Sequence, residues 1–220
     1  QCFIYSKVDE FASAAQFVNI EGNTLLECEN ISRLGSGIQN TFRSIALKNN
    51  TIRYCNALHF GNLVKVEEYI IAGNYFRNAT LSVNSNSSLT NQIKSLFFEG
   101  NKFAKSIGQL MLWAYQDLIF KNNTLFPDEE VNTANVYTDM GIAVPTYDHG
   151  VVLKGAAASK IVVEGNGFVT IHSRYSGLLL DKPFNAEIKN NVFDLNVPGA
   201  LTHTDYHRAA VNINNTLAEP

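Results

Sequence analysis

The chain has little charge and no excess of basic residues. Charged residues make up 17% of its 220 residues, and 17 Lys and Arg against 20 Asp and Glu give a formal net charge of −3. Proteins that bind nucleic acid usually carry a clustered basic surface, so we expect no nucleic-acid partner. The chain also lacks an apolar run of membrane-spanning length, and we expect no membrane insertion.

Cysteine and metal-ligating residues are scarce as well. The three cysteines are Cys2, Cys28 and Cys55, and this odd number argues against a disulfide framework. Their spacings of 26 and 27 residues match the repeat described next, so we expect a column of buried thiols. The five histidines show no convincing zinc spacing, and no cofactor is expected.

The chain is built on a short phrase that keeps returning. The copies are VNIEGNTL (18–25), IALKNNTI (45–52), YIIAGNYF (69–76), LFFEGNKF (96–103), LIFKNNTL (118–125), IVVEGNGF (161–168), AEIKNNVF (186–193) and a last partial copy, VNINNTL (211–217). The second residues of the Gly-Asn or Asn-Asn pairs are spaced by 27, 24, 27, 22, 43, 25 and 24 residues. A period in the twenties is typical of a solenoid.

Each copy predicts a strand followed by a tight corner. The apolar residues alternate with a period of two, which indicates β-structure and not helix. Gly and Asn accept a left-handed backbone conformation at low cost, so the Gly-Asn or Asn-Asn pair can turn the chain. Stacked repeats would place equivalent asparagines about 4.8 Å apart. Their side-chain amides could then form a hydrogen-bonded ladder.

The repeated phrase resembles the coils of right-handed parallel β-helix proteins. That superfamily includes pectate lyases, other polysaccharide lyases and hydrolases, and phage tailspikes. The resemblance spans nearly the whole chain, is specific for the fold and leaves the chemistry open. It implies an all-β fold, a right-handed parallel β-helix of about eight or nine coils, with residues 1–220 forming a single domain.

A second apolar stretch recurs between the corners and predicts a second parallel sheet. The stretches are SGIQN (36–40), NALHFGN (56–62), ATLSVN (79–84), GQLMLWAY (108–115), HGVVLKG (149–155), SGLLLDK (176–182) and PGALTHT (198–204). Alternation predicts inward side chains at Leu58, Phe60, Leu81, Val83, Leu110, Leu112, Val151, Leu153, Leu178 and Leu180. It predicts outward side chains at His59, Ser82, Met111, Trp113, Tyr115, Val152, Lys154, Leu179 and Asp181.

The spacing of 43 residues fits one ordinary repeat plus an insertion at residues 126–148. This inserted loop contains two prolines and an acidic run, and a loop of that length is either functional or a tolerated surface bulge. The chain has no initiating Met, no signal peptide and no evident capping helix. Because an open β-helix end exposes unpaired strands, we expect part of a longer chain, or an oligomer such as a homotrimer that covers its ends.

The resemblance implies that an extended polysaccharide binds along a groove formed by one stacked sheet and its flanking loops. Trp113, the only tryptophan, and Tyr115 would project to the same side of one strand, where aromatic faces can stack on sugar rings. The alternative is that the insertion covers one or both. Tyr175 and His149 are the other candidates for substrate binding.

The candidate catalytic residues are Lys154, Asp181, His172, Arg174 and Asp148. In-register stacking would bring Lys154 and Asp181 within about 5–7 Å of each other. A lyase needs a cation that neutralises a uronate carboxylate and a base, for which Arg174, Lys154 and His172 or Tyr175 are available. A hydrolase needs two carboxylates, for which Asp148, Asp181 and Asp205 are available.

Two functions follow as expectations. The first is a carbohydrate-active β-helix, leaning to a polysaccharide lyase or glycoside hydrolase and including the depolymerase part of a phage tailspike. The second is a non-catalytic glycan-binding or structural rod of a phage spike or surface adhesin. Either function implies an extracellular, cell-surface or virion location.

Overall fold

The computed structural model describes most of the repeated phrases and the strands between them. The described residues are 2–6, 16–27, 30–34, 41–54, 58–59, 65–77, 81–83, 93–104, 110–126, 149–155, 159–169, 176–181, 185–194 and 209–214. Cys28, Cys55 and residues 127–148 of the predicted insertion therefore lie outside the described residues, as do the predicted stretches at 36–40 and 198–204.

The described residues form strands joined by turns, without helix. The strands are β1 (Cys2–Ser6), β2 (Gln16–Glu21), β3 (Thr24–Leu26), β4 (Asn30–Leu34), β5 (Thr41–Lys48), β6 (Thr51–Arg53), β7 (Leu58–His59), β8 (Lys65–Ala72), β9 (Tyr75–Arg77), β10 (Leu81–Val83), β11 (Ile93–Glu99), β12 (Lys102–Ala104), β13 (Leu110–Ala114), β14 (Asp117–Lys121), β15 (Thr124–Phe126), β16 (His149–Gly155), β17 (Lys160–Glu164), β18 (Gly167–Val169), β19 (Ser176–Asp181), β20 (Asn185–Lys189), β21 (Val192–Asp194) and β22 (Ala209–Asn214). All observed strand pairs are parallel.

The strands are sorted into three long sheets according to their place in the repeat. Sheet I has the order β2-β5-β8-β11-β14-β17-β20, sheet II β3-β6-β9-β12-β15-β18-β21, and sheet III β7-β10-β13-β16-β19-β22. Strands β1 and β4 form a separate pair, and β4 lies beside β7. Neighbours within each sheet thus come from successive repeats. The all-β, all-parallel arrangement is consistent with a β-solenoid, as the sequence predicts.

The sequence predicts the strands of sheets I and III. It does not predict that the residues directly after each corner asparagine form strands of their own, which are the strands of sheet II. Each sheet II strand is only three residues long and follows the corner asparagine directly, as in β3 and β6. The central residues of these strands, Leu25 and Ile52, point inward and are buried. A polar-apolar pair after a turn is too short to give a recognisable strand pattern, so only the pairing reveals it.

The corner between sheets I and II adopts the predicted left-handed conformation at its first residue. The φ angles are 69° at Gly22, 54° at Asn49, 65° at Gly73, 63° at Gly100, 53° at Asn122, 65° at Gly165 and 55° at Asn190. At Gly73 an added Cβ would lie 2.5 Å from Asn49 Oδ1 of the preceding repeat. Glycine there satisfies both the backbone conformation and the close approach of the Asn49 side chain.

The second corner residue forms the predicted asparagine ladder. Asn101 shows the pattern: its Nδ2 donates to Ile71 O at 2.8 Å and to Asn123 Oδ1 at 3.2 Å, and its backbone N–H donates to the same oxygen at 3.0 Å. The pattern repeats from Asn23 through Asn50, Asn74, Asn101, Asn123 and Asn166 to Asn191. The five asparagines from Asn50 to Asn166 are at most 1% exposed. Their burial is tolerated because every amide is hydrogen-bonded.

The core lies between the three sheets and consists of stacked apolar columns. One column in sheet I is Ile20, Leu47, Ile71, Phe98, Phe120 and Val163, all buried. Sheet III contributes Leu110, Leu112, Val151, Leu153, Leu178 and Leu180, which confirms their predicted inward positions. Phe76 and Phe103 stack with ring centroids 4.6 Å apart, so aromatic stacking adds to the apolar burial.

The strand in the last copy of the phrase belongs to a different sheet from the corresponding strands of the other copies. Its strand, β22, pairs with β19 in sheet III, with Val211 opposite Leu178 and Ile213 opposite Leu180. In the other copies an inward residue of the sheet I strand lies three positions before the corner asparagine, and an outward residue lies two positions before it. Counted from Asn215 in the last copy, these positions fall on Asn212 and Ile213. A shift of one residue exchanges the faces of a strand, and the register with β19 aligns Val211 and Ile213 with the inward residues Leu178 and Leu180.

Candidate functional site

The candidate site lies on the outer face of sheet III. Along β13, β16 and β19 the inward leucines and valines alternate with outward residues. The register places Trp113 opposite Lys154, and Lys154 opposite Asp181. These three side chains therefore form one column across three adjacent strands, which we call the outer column.

The outer column is held together by an ion pair and a cation–π contact. Lys154 Nζ lies 3.0 Å from Asp181 Oδ2 and 5.2 Å from the centroid of the Trp113 ring. The Lys154 side chain is 28% exposed and that of Asp181 is 14% exposed. The ammonium group is thus placed between a carboxylate and an aromatic face, and both stabilise its charge. The predicted proximity of Lys154 and Asp181 is confirmed.

Trp113 is on the outward side of its strand but is covered. It is 6% exposed, so the expectation of an exposed ring is wrong, while residues 127–148 of the insertion predicted to cover it lie outside the described residues. Its Nε1 is buried and has no hydrogen-bond partner within the described part of the chain. Burial removes the freely accessible ring face that stacking on a sugar would use. It leaves an indole donor that an acceptor would stabilise.

Tyr115 is placed apart from the outer column. Strand β13 ends at Ala114, and Tyr115 begins the turn to β14, where its backbone N–H donates to Ile93 O at 3.0 Å. Tyr115 is half-buried. The prediction that Trp113 and Tyr115 project from one strand is therefore wrong, because the strand ends between them.

The side chains of the remaining predicted site residues are not among those that the structure describes. Asp148, His172, Arg174 and Tyr175 lie outside the described residues. His149 is the first residue of β16, with its backbone opposite Ser176, and its side chain lies outside the description. The structure therefore brings together Trp113, Lys154 and Asp181 from the predicted set.

The sequence carries a signal for the complete outer column that alternation within single strands does not reveal. Trp113, Lys154 and Asp181 each follow the second inward leucine of their strand, Leu112, Leu153 and Leu180. Aligning the copies on these leucines places Trp113 beside Lys154 and Asp181, whereas alternation predicts only that each of the three side chains points outward.

The outer column offers one cation and one carboxylate to a ligand, because the indole N–H of Trp113 is buried. Hydrolysis by paired carboxylates needs a second acid, and Asp181 is the one carboxylate on this face of β13, β16 and β19. Within the described ranges no group of three His, Cys, Asp or Glu side chains could hold a metal ion. No helix in that same part of the chain could span a membrane.

Comparisons with known proteins give no relatives from which to assign the site. No protein-family model, no curated protein and no solved structure matches this chain.

Proposed function

We propose that the chain is a right-handed parallel β-helix of about eight or nine coils that binds an extended polysaccharide across the outer face of sheet III. The fold part is supported by the parallel sheets and by the left-handed corners with their asparagine ladder. The functional part is carried by one observation, the convergence of Trp113, Lys154 and Asp181 in the outer column. An extended ligand lying across adjacent strands of sheet III would contact these polar groups together.

The proposal includes cleavage of the bound polysaccharide by hydrolysis or by β-elimination. Asp181 is the proposed acid or base. Lys154 is proposed to stabilise the charge of the Asp181 carboxylate and to donate a hydrogen bond to the sugar. Asp148, His172 and Arg174 are the proposed partners that complete either reaction. Tyr115, Tyr175 and His149 are proposed to bind neighbouring sugar units. An extracellular, cell-surface or virion location and association with further domains or as a homotrimer belong to the same proposal.

The test is a direct assay for cleavage. The protein is incubated with a panel of neutral and uronate-containing polysaccharides, while ultraviolet absorbance follows unsaturated products and a reducing-sugar assay follows new chain ends. New reducing ends without absorbance would indicate hydrolysis, and both together would indicate β-elimination. We expect either activity to fall at least about a hundredfold in the Asp181→Asn variant, since a catalytic acid or base contributes about 10²–10⁴-fold.

A non-catalytic rod is the second candidate, and two observations favour it. Trp113 is buried, and Lys154 and Asp181 already satisfy each other at 3.0 Å, as a purely structural column would require. On this alternative no polysaccharide is cleaved. The Asp181→Asn variant would then lower the free energy of unfolding without changing any interaction with polysaccharide.

A further inference from the structure

The outward side of sheet I carries an unbroken row of apolar residues. The register aligns Ala46, Ile70, Phe97, Ile119 and Val162 as neighbours on five successive strands. Each of them lies between two inward core residues of its own strand, so the row faces away from the core. We call these five residues the apolar stripe.

The apolar stripe is partly accessible and has polar ends. Its three central residues are partly exposed, whereas Ala46 and Val162 are 7% and 4% exposed. In the strands beyond its two ends the same position holds the exposed residues Asn19 and Glu187. An apolar patch with a polar rim on an outer face is typical of a protein–protein contact.

The charges on the two sides of the apolar stripe complement each other. Two positions before and two positions after the stripe, β14 holds Asp117 and Lys121, and β17 holds Lys160 and Glu164. In the other five strands of sheet I at least one residue of the pair is uncharged: Phe17 and Glu21, Ser44 and Lys48, Glu68 and Ala72, Ser95 and Glu99, and Asn185 and Lys189. No strand of this sheet therefore has charges of the same sign on both sides of the stripe position.

This pattern fits a second copy of the same face. A two-fold axis along the stack, in front of the stripe, sets each strand against the same strand of the second copy, running in the opposite direction. Asp117 then lies opposite Lys121 of the second copy, and Lys160 lies opposite Glu164. The apolar stripes meet in the centre, and these pairs form a charged rim on both sides.

The charges favour this axis over the alternative one. A two-fold axis along the central strand β11 would set Glu68 against Asp117 and Glu99 against itself, and such like charges repel. The axis along the stack sets only Glu187 against itself, at the exposed end of the sheet. There Lys189 Nζ lies 2.7 Å from the Glu187 carboxylate and offsets the repulsion.

The size of the face suits a reversible contact. Seven strands about 4.8 Å apart, each covering five residues from one rim to the other, give a face of roughly 500 Å² per copy. Two copies would bury about 1,000 Å² in all, which is at the lower limit for a specific interface. We therefore expect association in the micromolar range.

We propose that a second copy of this chain docks on the outer face of sheet I, with the two apolar stripes in contact and the rim charges paired across a two-fold axis along the stack. Sheet III, which carries the outer column, forms a different face of the stack. The inference thus goes beyond polysaccharide binding and does not depend on it.

Sedimentation velocity across the micromolar range tests the contact. We expect a monomer–dimer equilibrium whose dissociation constant rises at least about tenfold in Phe97→Lys, because two ammonium groups would meet near the axis. A monomer at every concentration, or a trimer as the first associated species, would overturn the inference. Association that Phe97→Lys leaves unchanged would also overturn it.

Charge reversal at the rim gives a second test, which a misfolded Phe97→Lys variant could not imitate. Lys160→Glu and Glu164→Lys each set like charges against each other in their own homodimers, but a mixed dimer pairs the introduced carboxylate with the introduced ammonium. We expect native mass spectrometry of an equal mixture to show mixed dimers well above the half that random pairing gives. Random pairing, or no dimer in the mixture, would overturn the inference.

A matched reversal on another face supplies the control. Lys102 is exposed in β12 of sheet II, so Lys102→Glu makes the same change of net charge away from the apolar stripe. We expect it to dimerise as wild type does, whereas Lys160→Glu should weaken the dimer. Equal weakening in both variants would overturn the inference, because it would report net charge and not the rim pairs.

Discussion

At the scale of the residue, each interior corner asparagine takes part in four hydrogen bonds through its side-chain amide. Asn101 Oδ1 accepts from the backbone and the side chain of Asn74, and its Nδ2 donates to Ile71 O and to Asn123 Oδ1. Asn101 is 0% exposed, so water cannot replace these partners. The amide group therefore satisfies its own polar atoms and those of the two neighbouring repeats.

We predict that Asn101→Ala lowers the free energy of unfolding by at least about 3 kcal/mol, because several buried groups lose their partners at once. The midpoint of urea unfolding measures the change. Asn19→Ala is the control, since Asn19 is exposed and its side chain donates only to Glu21 among the described residues. We expect a change within about 0.5 kcal/mol there. Equal effects at the two positions would contradict a structural role for the ladder.

At the scale of the element, the last outward residues of the sheet I strands form a column with charges of both signs. Neighbours in register include Lys121, Glu164 and Lys189. Lys121 Nζ lies 2.9 Å and Lys189 Nζ 3.5 Å from the Glu164 carboxylate. The hydrogen bond from Lys121 lowers the pKa of Glu164 from its ordinary value of 4.5, with weaker attraction from both lysines and partial opposition from desolvation.

We predict that this column contributes stability that depends on pH. Because the folded pKa of Glu164 lies below the unfolded value, its contribution is present above pH 4.5 and is lost as the pH falls through the folded pKa. Wild type should therefore be more stable than Glu164→Gln at pH 7, and the difference should shrink as the pH falls through the folded pKa of Glu164. Urea unfolding at pH 7 and at a series of lower pH values measures this. A stability difference that persists unchanged at low pH would contradict the prediction.

The sequence predicts the elements of this fold to different extents. Sheets I and III follow from repeated alternation, and the left-handed corners follow from Gly and Asn, because those signals are local. Glu27 and Tyr54 also have positive φ angles, of 53° and 56°, and nothing in their residue type marks them. The burial of Trp113 depends on what packs over the outer face of its strand, which strand-by-strand alternation does not specify.

At the scale of the whole molecule, the stack of sheets has an open edge in its described part. Strand β20 is the last in the order of sheet I, and all five residues from Asn185 to Lys189 are exposed. Ile188 is 36% exposed, whereas its register neighbour Val163 in β17 is fully buried. In sheet II, Val192 of the edge strand β21 is 62% exposed. Unpaired strand edges with exposed apolar side chains are templates for association.

We predict that this edge makes the chain associate at high concentration and that Val192→Lys reduces the association, because a charged edge resists strand pairing. Sedimentation velocity over a range of concentrations measures the mean mass. Gln116→Lys adds the same charge at an exposed turn between β13 and β14, away from the edge, and should associate as wild type does. If both variants reduce the mass equally, net charge and not the open edge controls association. Thermal unfolding should change little in either, since both positions are exposed.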